Sequence, residues 1–556
     1  MFDILIEGGE VIDGSGAPRR KADVAIRGGR VVAIGDVAGT ARETIDASGR
    51  AVCPGFVDIH THYDAQIFWD RKLSISPWHG VTTCVIGNCG FGIAPTRPEC
   101  RRLILRTLEK VEGMSLAALE QGLGAEWPFV SFPDYLDAIE RRGAAINVAA
   151  FVGHTPTRLA VMGEDAVKRE ATKDEIAAMV RIVREAMDAG AIGFATSQAL
   201  THNAFDGHPV PSRKAAFAEI EALAAAMAAG GHGVMQATVG PTLFLDQLET
   251  LARANAIPIT WTALFAGIAG KGSHRPLLAR THAERDEGLG IKPQVTCRPL
   301  NFDFDFLEPF PFESRPLFAP TLKADRRGKE AIYRDAAFRA AFRDDMGAGT
   351  RNAFTRWYER TVVSFAPGDA GLEERRVDEL AAECGKDPID FVLDLALASD
   401  FKARFRMAAL NYDEEDVAEL LLDDSIVVAL SDAGAHASQL CDACYATHLL
   451  GHWVREKGTL GLERAVEMLT RVPADLFGLA DRGRLAEGLP ADIVVFDPKT
   501  VGAGKLRRVH DLPAGADRLV SDAHGIDAVL CNGVVIRRHG RDATEGLPGR
   551  LLRGAA

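Results

Sequence analysis

Positive charge is in deficit in this 556-residue chain: 64 Lys and Arg stand against 77 Asp and Glu, a formal balance of -13. A protein that holds nucleic acid by neutralising phosphates needs the opposite balance, so no nucleic-acid partner is expected. Long apolar runs are missing as well. No stretch approaches the ~18–20 residues that span a bilayer, and no membrane association is expected. The opening MFDILIEGGEVIDG has no basic segment followed by a long apolar one, so it does not read as a secretory signal. Cysteines are sparse and odd in number, nine in all, which fits free thiols in a reducing compartment rather than a disulfide framework. With 47% hydrophobic residues disorder is excluded. What remains is a soluble, cytoplasmic, globular protein of two to four units, or one large barrel with additions.

The first fifty residues read as short strands broken by turns: DILIEGG, VIDGSGAP, DVAIRGGRVVAIG and ETIDASGRAV combine apolar alternation with Gly-rich corners. The same texture returns in ADIVVFD (491–497) and AVLCNGVVI (528–536), where Asn532-Gly533 is a two-residue hairpin signal. Each piece is too small to bury a core alone, so the two ends are expected to pair into one discontinuous β-sandwich, residues 1–53 with 483–556.

Between them, over 54–482, the pattern becomes helix-then-strand. Thr172-Lys173-Asp174-Glu175 is a capping box opening a helix with an apolar stripe at Ile176, Met179, Val180, Val183 and Met187, closed by Gly190. The unit recurs through Phe217, Ile220, Leu223 and Met227, and again through Leu248 and Leu251. Eight candidate strands can be counted: FVDIHTH (56–62), TTCVIGN (82–88), NVAAFVG (147–153), IGFATS (192–197), GVMQATV (233–239), PITWTAL (258–264), PQVTCRP (293–299) and IVVALSD (426–432). Eight strands alternating with helices predict a (β/α)8 TIM barrel, with a doubly wound open sheet as the structural alternative. A long insertion, about 300–420, separates the seventh and eighth strands and opens with LNFDFDFLEPFPFESRPLF. It is either an auxiliary helical subdomain with its own core or an aromatic lid over an apolar substrate group.

Three features carry chemistry. His60-Thr61-His62 follows GFVDI at the C-terminal end of the first strand, where barrel active sites form, and residues two apart on a strand project to one side. Two imidazoles held side by side make half of a divalent-metal site. Asp432 closes the eighth strand at the same mouth, where a carboxylate can ligate metal and accept a proton, or merely cap the next helix. Arg298 ends the seventh strand and reads either as a clamp for a substrate carboxylate or as a salt-bridge partner of Asp303–Asp305. Cys441-Asp442-Ala443-Cys444 is a lone CxxC, expected on a helix and structural; Arg507-Arg508 and Arg537-Arg538 read as solvated surface.

GFVDIHTHYD, VIGNCG, the VGH at 152–154, GFATS, SDAGAH at 431–436, LTRVPADLFGL, RGRLAEGLPADIVVFD and GIDAVLCNGVVI together resemble the amidohydrolase superfamily, and within it the N-acyl-D-amino-acid deacylase branch, over nearly the whole chain. The resemblance implies a metal-ligating Cys at the end of the second strand, which is Cys89 here, and thiolate with imidazole favours Zn2+, one or two per chain. It also implies two further His ligands near the ends of the fifth and sixth strands. The matching stretches, 233–238 and 260–264, contain none. Metal would then sit toward His60, His62, Cys89 and Asp432, with His154, His202 and His436 as additional ligands, substrate contacts or supports of the ligands. The implied activity is metal-dependent hydrolysis of a non-peptide C–N bond in a small molecule, the amide of an N-acyl-(D-)amino acid, with Asp432 as the proton-transferring residue. Alternatives are another amide, a cyclic amide or a carbamate, or a metal-free binding protein on a degenerate barrel. Self-assembly into a homo-oligomer is left open.

Overall fold

A computed structural model describes residues 1–313, 315–346 and 355–554. Eight strands form one all-parallel sheet in sequential order: Phe56–Asp58, Val81–Ile86, Asn147–Gly153, Gly193–Ser197, Val234–Thr238, Ile259–Thr262, Ile291–Val295 and Val427–Val428. All eight predicted strands are there. The ring is closed just beyond its two edge strands, where Thr61 bridges Ala433 in parallel and the His62 N–H donates to the Ala433 carbonyl at 2.7 Å. The open-sheet alternative is therefore not what the chain adopts. The strands are buried on both faces, which is why they read as near-continuous apolar runs. Val57, Val85, Ala149, Phe151, Ala195 and Val427 gather in one apolar cluster inside the ring, with Phe477 and Leu479 against it. Their chain neighbours Cys84, Ile86, Val148 and Ala150 join the larger cluster formed with the surrounding helices. Alternation of this kind fills a barrel with side chains and covers it from outside.

The helices obey their sequence signals. Thr172 caps the helix Lys173–Asp188 in a complete capping box with Glu175, and the stripe residues Met179, Val183 and Met187 are buried. Gly190 follows its end at φ 97°.

Strands from the two chain ends interleave in one nine-stranded sheet. Ala51–Pro54 lies between Phe2–Val11 and Ile493–Phe496, and the latter pairs with Ile526–Cys531. The hairpin to Val534–Arg538 turns at Asn532 (φ 47°) and Gly533 (φ 79°), the left-handed pair that an Asn-Gly turn supplies. Beyond it, the segment around Gly549–Gly554 runs back beneath the barrel. Gly549 N donates to Ala144 O, Val148 N to Arg550 O, Leu552 N to Val148 O and Gly554 N to Gly190 O.

The insertion builds its own core around a three-stranded sheet of Leu300–Phe304, Thr361–Phe365 and Arg404–Leu410. Phe304, Phe306, Phe312 and Phe318 are buried there with Tyr333, Trp357 and Phe405. Of the two readings of the Phe-rich opening, the subdomain core accounts for these four rings. Residues 314 and 347–354 of this segment lie outside the described residues. Among the described residues no helix is long and apolar enough to cross a membrane.

Candidate active site

The C-terminal ends of the strands bring four of the predicted residues to one point. The regular first strand stops at Asp58, so His60 and His62 are not held by strand pairing as the spacing implied. They are held by the closure at Ala433 and by Asp58, whose Oδ1 accepts from His60 N at 3.2 Å. Their rings still converge, with centroids 5.3 Å apart.

Cys89 arrives from the Gly87-Asn88-Cys89-Gly90 turn after the second strand. Gly87 and Gly90 take φ 84° and 70°, and a Cβ at Gly90 would lie 2.7 Å from the Ala195 carbonyl. Glycine is therefore required for the turn to nest against the fourth strand. Cys89 itself sits at φ 56°, a left-handed backbone that non-glycine residues adopt mostly where the surroundings impose it. The buried Asp64 anchors the turn by accepting from Gly87 N at 2.9 Å.

His60 Nε2 lies 3.4 Å from Cys89 Sγ and 3.2 Å from Asp432 Oδ1, and His62 Nε2 lies 3.7 Å from the same oxygen. The donor atoms of His60, His62 and Cys89 all fall within 4.8 Å of one another. Burial disfavours charge on Cys89, but the two imidazoles outweigh it and bring the thiol down to about 7. Burial likewise opposes ionisation of Asp432, yet the hydrogen bond with His62 and the nearby His60 and His436 hold its carboxyl well below the usual range. Two imidazoles, a readily ionised thiol and a carboxylate fit a borderline divalent ion such as zinc.

The groups behind these donors were not read from the sequence. His60 Nδ1 donates to Gln294 Oε1 at 2.7 Å, which turns its Nε2 toward Cys89 and Asp432. Glu112, buried at the end of helix Arg101–Glu112, places Oε1 3.2 Å from His62 Nδ1. On the fifth strand Gln236 accepts from Cys89 N at 2.7 Å, and its Nε2 is 3.2 Å from Thr262 Oγ1 on the sixth. Where the resemblance implied two His, the fifth and sixth strands thus carry a hydrogen-bonded Gln236–Thr262 pair.

The remaining candidates divide. His202 is half-buried, with Nδ1 2.7 Å from Ser197 Oγ and its ring 5.1 Å from that of Phe91. Burial, then the fields of His436 and His62, lower it to about 3. His436, at φ 48°, completes the turn after Asp432. His154 does not offer a free ring nitrogen. Nδ1 is 2.8 Å from Thr196 Oγ1 and Nε2 is 2.8 Å from Glu219 Oε1, a carboxylate that also accepts from Arg158. Both ring nitrogens of His154 are thus engaged by buried neighbouring side chains. Arg298 is not a free clamp either. Its Nε is 3.3 Å from Asp442 Oδ1 and its Nη1 faces Cys444 Sγ, while Asp303 and Asp305 pair with Arg404 instead. Cys441–Cys444 precedes the short helix Tyr445–His448 rather than lying on it. A small cleft opens beside Asp432, lined among others by Tyr63, Ser431, Asp442 and Arg518.

The sequence profile of the amidohydrolase family matches residues 43–537. The chain belongs to this family. The amidohydrolase is 32% identical to a D-aminoacylase of Alcaligenes xylosoxydans xylosoxydans over 96% of this chain and 94% of that one. It is 31% identical to an N-acyl-D-glutamate deacylase of the same organism over 99% and 96%. Its fold is similar to that of N-acyl-D-glutamate deacylase from Bordetella bronchiseptica, solved with zinc and a phosphonate mimic of the tetrahedral intermediate. The TM-score is 0.68 at 28% identity, over 99% of each chain.

Proposed function

We propose that this amidohydrolase is a zinc-dependent N-acyl-D-amino-acid deacylase. The observation that carries the reading is the convergence of His60, His62 and Cys89 on Asp432 Oδ1 at the barrel mouth. A bound zinc ion supplies Lewis acidity, polarising the amide carbonyl and acidifying the attacking water.

The chain's own residues do the rest. His60, His62, Cys89 and Asp432 would hold the ion. Asp432, kept ionised by the imidazoles around it, takes a proton from water at Oδ1 as the C–O bond forms, and returns it to the amine nitrogen as the C–N bond breaks. His202 and His436 flank the reacting carbonyl and donate to its oxygen as negative charge develops there. In this reading residues 1–53 and 483–556 form one supporting unit and 54–482 the catalytic barrel. All nine cysteines are free, which supports a reducing, cytoplasmic setting.

The test is zinc content per chain together with hydrolysis of N-acyl-D-amino acids, their L-enantiomers and cyclic amides. Zinc-dependent release of the D-amino acid is expected, falling by about 10²–10⁴ in kcat for Asp432→Asn. Turnover of cyclic amides or carbamates alone would move the assignment to that rival class. Absence of both stoichiometric zinc and turnover would leave the metal-free binding-protein reading.

A further inference from the structure

Among the described residues one other group has its donor atoms close enough to share a metal ion: His274, Asp416 and Glu419, all within 4.8 Å. It is built from two elements outside the catalytic cluster. His274 stands at the start of helix Arg275–Asp286, at the end of the loop that leaves the sixth barrel strand. Asp416 and Glu419 lie three apart on helix Glu414–Leu421, so both project from one face of it. His274 is 1% exposed and Asp416 is fully buried.

The polar atoms here are poorly satisfied. Neither ring nitrogen of His274 has a hydrogen-bond partner, although Nδ1 is 3.9 Å from Asp416 Oδ2 and Nε2 is 3.3 Å from Glu419 Oε2. Asp416 Oδ1 is also buried without a partner, while its Oδ2 accepts from Gly272 N at 2.7 Å. A buried imidazole with both nitrogens unpaired is costly, and an ion that accepts the lone pair of one nitrogen removes that part of the cost. One ring nitrogen of His274 and one oxygen of each carboxylate lie within 4.8 Å of one another, near enough for small side-chain shifts to bring all three onto one ion with bonds of about 2.0–2.1 Å. Glu419 also pairs with Arg275 Nε at 2.9 Å, which moderates the negative charge of the pair of carboxylates without occupying His274.

The geometry points to a second, structural divalent-metal site formed by His274, Asp416 and Glu419, one nitrogen and two carboxylates being donors suited to a zinc-class ion. Its effect would be mechanical. The loop between the sixth strand and His274 is already tied to the chain before helix Glu414–Leu421, Ala266 N donating to Asn411 Oδ1 at 2.7 Å and Asn411 Nδ2 to Thr296 O at 3.0 Å. A bound ion would lock the far end of that loop to the same helix. The site stands whether or not the catalytic assignment does.

Chelator-stripped full-length protein titrated with Zn2+ and with Co2+ tests it. His274→Gln is expected to bind one zinc fewer than the unsubstituted chain, and Glu419→Gln, at a half-exposed position that leaves folding intact, to bind it roughly ten-fold or more weakly. Cobalt at this site should give ligand-field bands that are lost in His274→Gln, whereas thiolate-to-cobalt charge transfer reports Cys89 and should be unchanged. Unaltered zinc stoichiometry and affinity in Glu419→Gln, or in a folded His274→Gln, would overturn the proposal. Loss of the thiolate band in a Cys89→Ser variant with the other bands kept would separate it from the catalytic cluster.

Discussion

At the scale of single residues, the site depends on side chains that hold its donor residues in place. Gln236 is one. Its amide oxygen satisfies the buried N–H of Cys89. Gln236→Leu is expected to leave the N–H unpaired, at about 1–3 kcal/mol, and to weaken zinc binding by about 10–100-fold; chelator competition measures this, and unchanged affinity would remove Gln236 from the role. His60, His62 and Asp432 were legible because spacing and strand position expose them, whereas Cys89 was reached only through the family resemblance. Gln294 and Glu112 were not legible. One is an amide inside an apolar strand and the other a helix-end carboxylate 50 residues from His62, and only closure of the barrel brings either to its imidazole. The salt-bridge reading of Arg298 named Asp303–Asp305 rather than Asp442 for the complementary reason. Its partner Asp442 comes from a loop that nothing near Arg298 in the chain announces.

Elements were easier to read than their contacts. Every barrel strand declared itself, since strands buried on both faces must be apolar throughout, and the capping box at Thr172 marked its helix. The Phe-rich segment did not declare which way its rings turn, because a core and a lid have the same composition. Arg508 and Arg537, read as solvated, are mostly buried: Arg508 pairs with Asp303, and Arg537 lies over the Trp78 ring at 5.0 Å. The junction between barrel and sandwich carries a titrating group of its own. His79 is fully buried, with Nδ1 2.7 Å from Thr447 Oγ1 and Nε2 donating to Ser521 O at 2.9 Å. Burial, aided by the Arg298 and Arg537 charges, lowers it from 6.5 to about 3. The unfolded chain therefore takes up a proton below 6.5 that the fold refuses, and stability is lost as pH falls from there toward 3. From about pH 7 to about pH 5 the loss through His79 should be about 2 kcal/mol. Urea midpoints of the unsubstituted chain and His79→Gln at the two pH values check this: the variant should be less stable at pH 7 and less sensitive to acid, and an equal acid shift in both would refute it.

For the molecule as a whole, stability and catalysis are placed at opposite ends of the barrel. The Gly549–Gly554 segment ties the bases of the third and fourth strands, away from His60 and Asp432. Truncation after Glu545 removes at least four backbone hydrogen bonds and should cost roughly 2–6 kcal/mol while leaving kcat at room temperature unchanged; thermal melting read beside activity decides, and a drop in kcat at full folding would contradict the separation. The interleaved terminal sheet has a further consequence, one of time. Ala51–Pro54 must pair with Ile493–Phe496, a partner that follows it by roughly 440 residues. At about 5–20 residues per second a ribosome needs roughly 20–90 s to deliver that partner. Throughout that interval Ala51–Pro54 lacks its later partner, so the sequence separation of the two strands sets how long that edge of the sheet stays unpaired during synthesis.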